Sequence, residues 1–178
     1  DLQYFRLSLL PSLLDKVHPN LKAGYDQFAI FEIGKAHIVG ENGDDGLPRE
    51  DNLASLVVAA ADKLKTSGAA YYQAKKYLEN LVRVKLTYKP VPEAMQKFDI
   101  TKPFEMQRTA FVYAGETFIG LIGEFRPAVS RALKLPKYCA GFELDTAALL
   151  GVLGVNSYQP LPRFPKVTQD ITLKVPAD

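Results

Sequence analysis

The chain has 178 residues, the length of one domain or of one domain with part of a second. Its 47% hydrophobic and 24% charged residues are typical of a folded globular protein and exclude a mainly disordered chain. The 22 basic and 20 acidic residues leave a net charge of +2, which by itself does not support a nucleic-acid or membrane partner.

Cysteine use and hydropathy indicate the compartment. Cys139 is the single cysteine, so an internal disulfide is excluded and a reducing compartment is favoured. It lies in an apolar strand pattern, and we interpret it as a core residue rather than a nucleophile. No apolar run approaches the roughly 18 residues of a membrane helix, and no signal sequence begins the chain. We expect a cytoplasmic protein without a membrane partner, and a segment of a longer protein.

The first half of the chain mixes helical and extended patterns. Ser8 caps a predicted helix whose apolar residues recur at helix spacing, and Gly24 ends it. Two strands are predicted next, at residues 28–39 with Gly34 as a bulge and at residues 53–61, joined by a polar loop. Residues 71–86 form the clearest predicted helix. Its expected inward stripe is Ala74, Tyr77, Leu78, Leu81 and Val82.

The second half is richer in strands. Further strands are predicted near 86–88 and at 109–113, 117–125, 139–144 and 168–175. Short helices are predicted from Pro127 towards Leu133 and at 146–150. Three prolines between residues 157 and 165 indicate an extended linker. Because strands and helices do not alternate regularly, the order favours an α+β fold with a largely antiparallel sheet.

The usual catalytic patterns are missing from the sequence. The two histidines, His18 and His37, have no ligand-like spacing, so no metal site is predicted. Dinucleotide, phosphate-loop and nucleophile-elbow motifs are also absent. Glu124, Glu143 and Asp145 all follow strand patterns, where they would form an acid–base pair or simply be solvated or paired. The residues alone therefore predict no catalytic site.

One stretch is strongly basic. The segment from Lys63 to Lys89 contains seven basic residues and one acidic residue, Glu79. Two interpretations stay open: a phosphate-contacting surface, or a solvated helix face.

Six motifs follow one another along nearly the whole chain. They are FRLSLLPSLL at 5–14 with FEIGK at 31–35, LPRE at 47–50, YYQAK at 71–75, IGLIGEFRP at 119–127, FELD at 142–145, and YQPLPRFP at 158–165 with QDI at 169–171. In this order they resemble the β subunit of bacterial phenylalanyl-tRNA synthetase. One segment departs from that family's H-P-G-R-S-A pattern: EMQRTA at 105–110 keeps Arg108 and Ala110 but lacks the histidine, proline and glycine.

The resemblance implies a fold and an organisation. Residues 1–156 would be a class II synthetase-like core module, an antiparallel sheet flanked by helices that does not perform aminoacylation. Residues 157–178 would be a linker and the first strand of a truncated, ferredoxin-like anticodon-binding domain. The implied partners are the synthetase α subunit and, in the whole enzyme, tRNA(Phe), towards which Arg163 and Lys166 would face.

The resemblance also identifies what a class II site needs and this chain lacks. Such a site grips the phosphates of ATP with one arginine in an F-R-x-E pattern and another in a G-x-G-x-x-R pattern. Residues 35–41, KAHIVGE, contain no arginine, and FELD at 142–145 places carboxylates where the second would stand. Two carboxylates there would repel a triphosphate. We expect no catalytic, cofactor-binding or metal-binding residue here, with ATP and Mg bound elsewhere in the whole enzyme. The alternative is a free-standing tRNA-binding or regulatory relative.

Overall fold

The structure, a computed structural model, describes residues 5–43, 45–66, 68–153 and 172. Within these ranges the chain forms helices on both faces of one sheet. The helices are α1 (Leu10–Lys22), α2 (Ala70–Val82), α3 (Pro127–Leu133) and α4 (Thr146–Val152), with one turn of 3₁₀ helix at Glu93–Met95. The strands are β1 (Gln27–Asn42), β2 (Pro48–Ala60), β3 (Leu86–Pro90), β4 (Phe104–Ala114), β5 (Thr117–Phe125) and β6 (Tyr138–Asp145).

All six strands belong to one antiparallel sheet in the order β1-β2-β6-β5-β4-β3. The pairs β1–β2, β3–β4 and β4–β5 are neighbours in sequence, whereas β6 enters between β2 and β5. The predicted α+β class with an antiparallel sheet flanked by helices is therefore confirmed. Because β6 lies between the two halves of the sheet, its side chains occupy the centre of both faces.

Two apolar cores lie on opposite faces of the sheet. One core joins the sheet to α1 and α3 and includes Leu14 and Val57; the other joins it to α2 and α4 and includes Leu78 and Val58. Successive residues of a strand point to opposite faces. Since both faces of β2 are covered here, residues 53–61 appear in the sequence as one continuous apolar run.

The first helix lies where the sequence predicts it, with its N-cap at Leu9 rather than at Ser8. Pro11 lies in its first turn, where the missing N–H is tolerated. The hydroxyl oxygen of Ser8 accepts a hydrogen bond from the Leu10 N–H at 3.1 Å, so it satisfies one donor of that turn. Beyond Lys22, Gly24 takes a φ of +96°, which ends the helical path.

The second helix corrects two predictions. It ends at Val82 rather than Leu86, because Arg83 adopts a left-handed conformation with φ of 53° and its N–H bonds to the Glu79 carbonyl at 3.1 Å. Its buried stripe is Ala70, Ala74, Leu78 and Val82. Tyr77 and Leu81, predicted to face inward, are 41% and 54% exposed. The helical periodicity identifies the apolar residues of α2 correctly. However, α2 does not cover β1, the strand that lies beside Tyr77 and Leu81.

The bulge predicted at Gly34 is also wrong. Gly34 pairs in regular register with Leu53, and the irregularity of this ladder lies between His37 and Asn42. A close contact explains why a glycine occupies this position. An ideal Cβ there would lie 2.5 Å from the Nη2 atom of Arg6. Its missing side chain therefore lets the guanidinium group cross the strand.

The segment that departs from the family pattern, residues 105–110, lies within β4. The predicted linker and the strand at 168–175 lie outside the described residues, apart from Thr172, and so does the boundary near residue 156. Among the described helices, none has the length and apolar character that a membrane crossing requires.

The first glycine of the IGLIGEFRP motif has a packing role. Gly120 lies in β5, pairs with Leu144 of β6, and has a φ of +150°. A Cβ at this position would overlap the backbone carbonyl of Glu143 and lie 2.9 Å from the Leu144 Cα. A side chain would therefore push β5 and β6 apart at the centre of the sheet.

We expect Gly120→Ala to lower the free energy of unfolding by at least about 3 kcal/mol, because backbone strain and overlap coincide at a central strand. Urea unfolding followed by circular dichroism measures the change. Gly151→Ala is the control, since its Cβ would meet open space on α4 and should alter stability by about 1 kcal/mol or less. Equal stability of the two variants would contradict this account.

Candidate functional site

The two sequence regions expected to hold the phosphate-gripping arginines, 35–41 and 142–145, lie on β1 and β6, which flank β2. Across these three strands Glu32, Ser55 and Glu143 pair in one register row on the face that α1 covers. The row occupies the place where the resemblance puts a class II site. Its chemistry decides what that place can do.

Glu143 is the centre of this row. Its residue is 1% exposed, and its Oε2 atom accepts three hydrogen bonds. The donors are the Ser8 hydroxyl at 3.0 Å, the Leu9 N–H at 2.8 Å and the Ser55 hydroxyl at 2.6 Å. Leu9 is the N-cap of α1 and has no side-chain oxygen of its own. A carboxylate from the sheet therefore does the capping, at the helix end that favours negative charge.

Arg6 lies at the β1 end of this row, next to Glu32. Its Nη1 atom pairs with Glu32 Oε1 at 2.5 Å, and its Nε donates to the Lys35 carbonyl at 3.0 Å. The Arg6 carbonyl in turn accepts from the His37 N–H at 2.9 Å. This guanidinium is held by a neighbouring carboxylate and by backbone, so it is engaged within the chain rather than directed at a ligand.

The arrangement fixes α1 to the sheet. The buried Glu143 carboxylate leaves its Oε1 atom without a hydrogen-bond partner among the described residues. A packed acidic centre of this kind would repel the phosphates of ATP. Its chemistry is that of a structural anchor.

The other two candidate carboxylates cap two other helices. Glu124 of β5 accepts from the Tyr71 N–H in the first turn of α2 at 3.3 Å, and its second oxygen pairs with Arg108 Nη1 at 2.7 Å. That hydrogen bond, with the charge of Glu124, raises the pKa of the Arg108 guanidinium. Asp145 accepts from the Ala147 and Ala148 N–H groups of α4 at 2.8 and 3.0 Å.

The structure does not bring these three carboxylates together into an acid–base pair. Glu143 points to the face covered by α1, whereas Glu124 reaches α2 on the opposite face. Asp145 lies at the end of β6 and binds the helix that follows it. The interpretation that they are paired groups is the correct one.

A cavity of about 450 Å³ opens beside Glu124. It lies at the start of α2, and its charged lining is Asp62, Arg108, Glu124 and Lys137. Two of these already pair with each other, and Asp62 accepts from the Lys137 N–H at 2.7 Å. The cavity thus includes Glu124 of the IGLIGEFRP motif on β5 and Arg108, the arginine kept in the departing segment on β4, and these two form an ion pair.

The histidines and the cysteine show no catalytic arrangement. His37 lies 3.4 Å from Glu50, and His18 lies on α1. Within the described ranges no group of three or more His, Cys, Asp and Glu residues is placed to hold a metal ion. Cys139 is buried, and burial raises the pKa of its thiol to about 12, so the reactive thiolate is disfavoured. Its prediction as a core residue is confirmed.

The basic stretch is partly engaged within the chain. Lys63 pairs with Asp26 at 2.7 Å. Lys75 lies 3.7 Å from Glu79 and 4.4 Å from the centre of the Tyr88 ring. Lys89 lies over the ring of Tyr113, 4.5 Å from its centre. These contacts fit the interpretation of a solvated face, and the phosphate-contacting surface stays a prediction. Arg163 and Lys166 lie outside the described residues.

Comparison with known proteins gives consistent matches. Residues 1–146 match the family model described as phenylalanyl tRNA synthetase beta chain CLM domain. The phenylalanine–tRNA ligase beta subunit of Latilactobacillus sakei is 30% identical over 182 residues, covering 99% of this chain and 22% of that protein. The same subunit of Moorella thermoacetica is 34% identical over 177 residues, covering 97% of this chain and 21% of that protein. The chain thus spans about a fifth of the length of these relatives.

Solved structures agree on the fold. Pyrrolysyl-tRNA synthetase from Desulfitobacterium hafniense superposes with a TM-score of 0.52 at 17% identity, over 82% of this chain and 48% of that one. The sheet and its flanking helices therefore form the class II synthetase fold expected from the motifs.

We expect Glu143→Ala to lower the free energy of unfolding by about 4 kcal/mol, because three buried donors lose their acceptor. Glu143→Gln should cost less, since an amide oxygen still accepts. Asp145→Ala should cost about 1 kcal/mol, the usual value for the loss of an N-cap side chain. Chemical denaturation monitored by circular dichroism gives all three values.

Glu116→Gln, in the exposed turn between β4 and β5, is the control for charge removal alone. It should leave stability within about 0.5 kcal/mol of the wild type. If Glu143→Gln were no more destabilising than this control, the anchoring role of the carboxylate would be refuted.

Proposed function

The chain belongs to the phenylalanyl-tRNA synthetase β chain family, and from this membership we propose that it is a non-catalytic assembly segment of a phenylalanine–tRNA ligase. Its role is to support the α subunit, which charges tRNA(Phe) with phenylalanine using ATP. The enzyme is a ligase only as a whole, and this segment alone is inactive. The observation that carries the proposal is Glu143, a buried carboxylate that anchors α1 where a class II site would bind phosphates.

The chemistry of that place supports inactivity. Adenylate formation needs cationic groups that stabilise the charge developing on the phosphates. Glu143 supplies a negative charge instead, and the nearby Arg6 is paired with Glu32. We propose that this segment binds no cofactor, and that ATP and Mg are held by the α subunit.

The preserved fold supports an assembly role. The sheet keeps a packed core on each face, with side chains such as Leu78 and Val57 fully buried. A scaffold of this kind offers a rigid surface to a partner without a site of its own. The names of the relatives, which are beta subunits, do not favour the alternative of a free-standing regulatory protein. In the whole enzyme Arg163 and Lys166 would face tRNA.

We expect the chain to form a stable complex with the α subunit encoded in the same genome. A specific interface buries at least about 1,000 Å² in total, which is enough for the complex to survive purification. Co-expression with a tag on one partner, followed by sedimentation analysis at micromolar concentration, measures it. Two independent monomers would contradict the assembly role of this segment.

We expect phenylalanine-dependent exchange of pyrophosphate into ATP to stay at background with the chain alone. The reason is the acidic, packed centre at Glu143. The α subunit assayed with the complete β subunit is the positive control. An exchange rate that rises with phenylalanine, and is lost on substitution of a residue of this chain, would overturn the proposal of inactivity.

A further inference from the structure

We draw no further inference here: the strongest candidate, the charged cavity beside Glu124, rests on the N-terminus of α2, where Glu124 and Arg108 already pair with each other, and no other feature of the described residues points to a ligand there.

Discussion

Carboxylates that project from the sheet hold the helices to it. Glu143 caps α1, Glu124 binds the first turn of α2, and Asp145 caps α4. The N-caps of α1 and α2 are Leu9 and Ala69, which have no side-chain acceptor. Each carboxylate satisfies backbone N–H groups that would otherwise lack a partner, and each lies at the positive end of its helix dipole. The positions of three helices therefore depend on acidic residues of two neighbouring central strands, β5 and β6.

The same interaction places a packed carboxylate where the resemblance puts a class II site. A catalytic centre requires solvent access and a positive potential at the phosphates. The Glu143 centre is covered by α1, and the nearby Arg6 is paired with Glu32. Removing the carboxylate would leave the Ser8 and Ser55 hydroxyls and the start of α1 unpaired. The carboxylate thus holds α1 to the sheet at the position where, under the proposed function, it disfavours phosphate binding.

Much of this architecture is predictable from local patterns, and the rest depends on distant contacts. The helix at α1, the apolar run of β2 and the start of α3 at Pro127 follow from periodicity and cap signals. The link between Ser8 and Glu143 spans 135 residues, so no local spacing reveals it. A glycine inside a strand pattern predicts a bulge at Gly34. The actual reason for this glycine, the Arg6 side chain that crosses the strand, is visible only in three dimensions. The family motifs placed Glu143 at the expected site, but not its hydrogen bonds.

The error at Tyr77 and Leu81 is the informative one. Periodicity assigns an apolar helix residue to the core, on the assumption that the helix buries its whole apolar face within its own domain. Here α2 buries only the stripe that ends at Val82, and the second apolar row faces Phe31 across an open groove. The apolar face of α2 is therefore wider than the part of the sheet that this helix covers. The Glu143 centre and the apolar groove lie on opposite faces of the same sheet, so α1 and α2 are held to it by separate contacts.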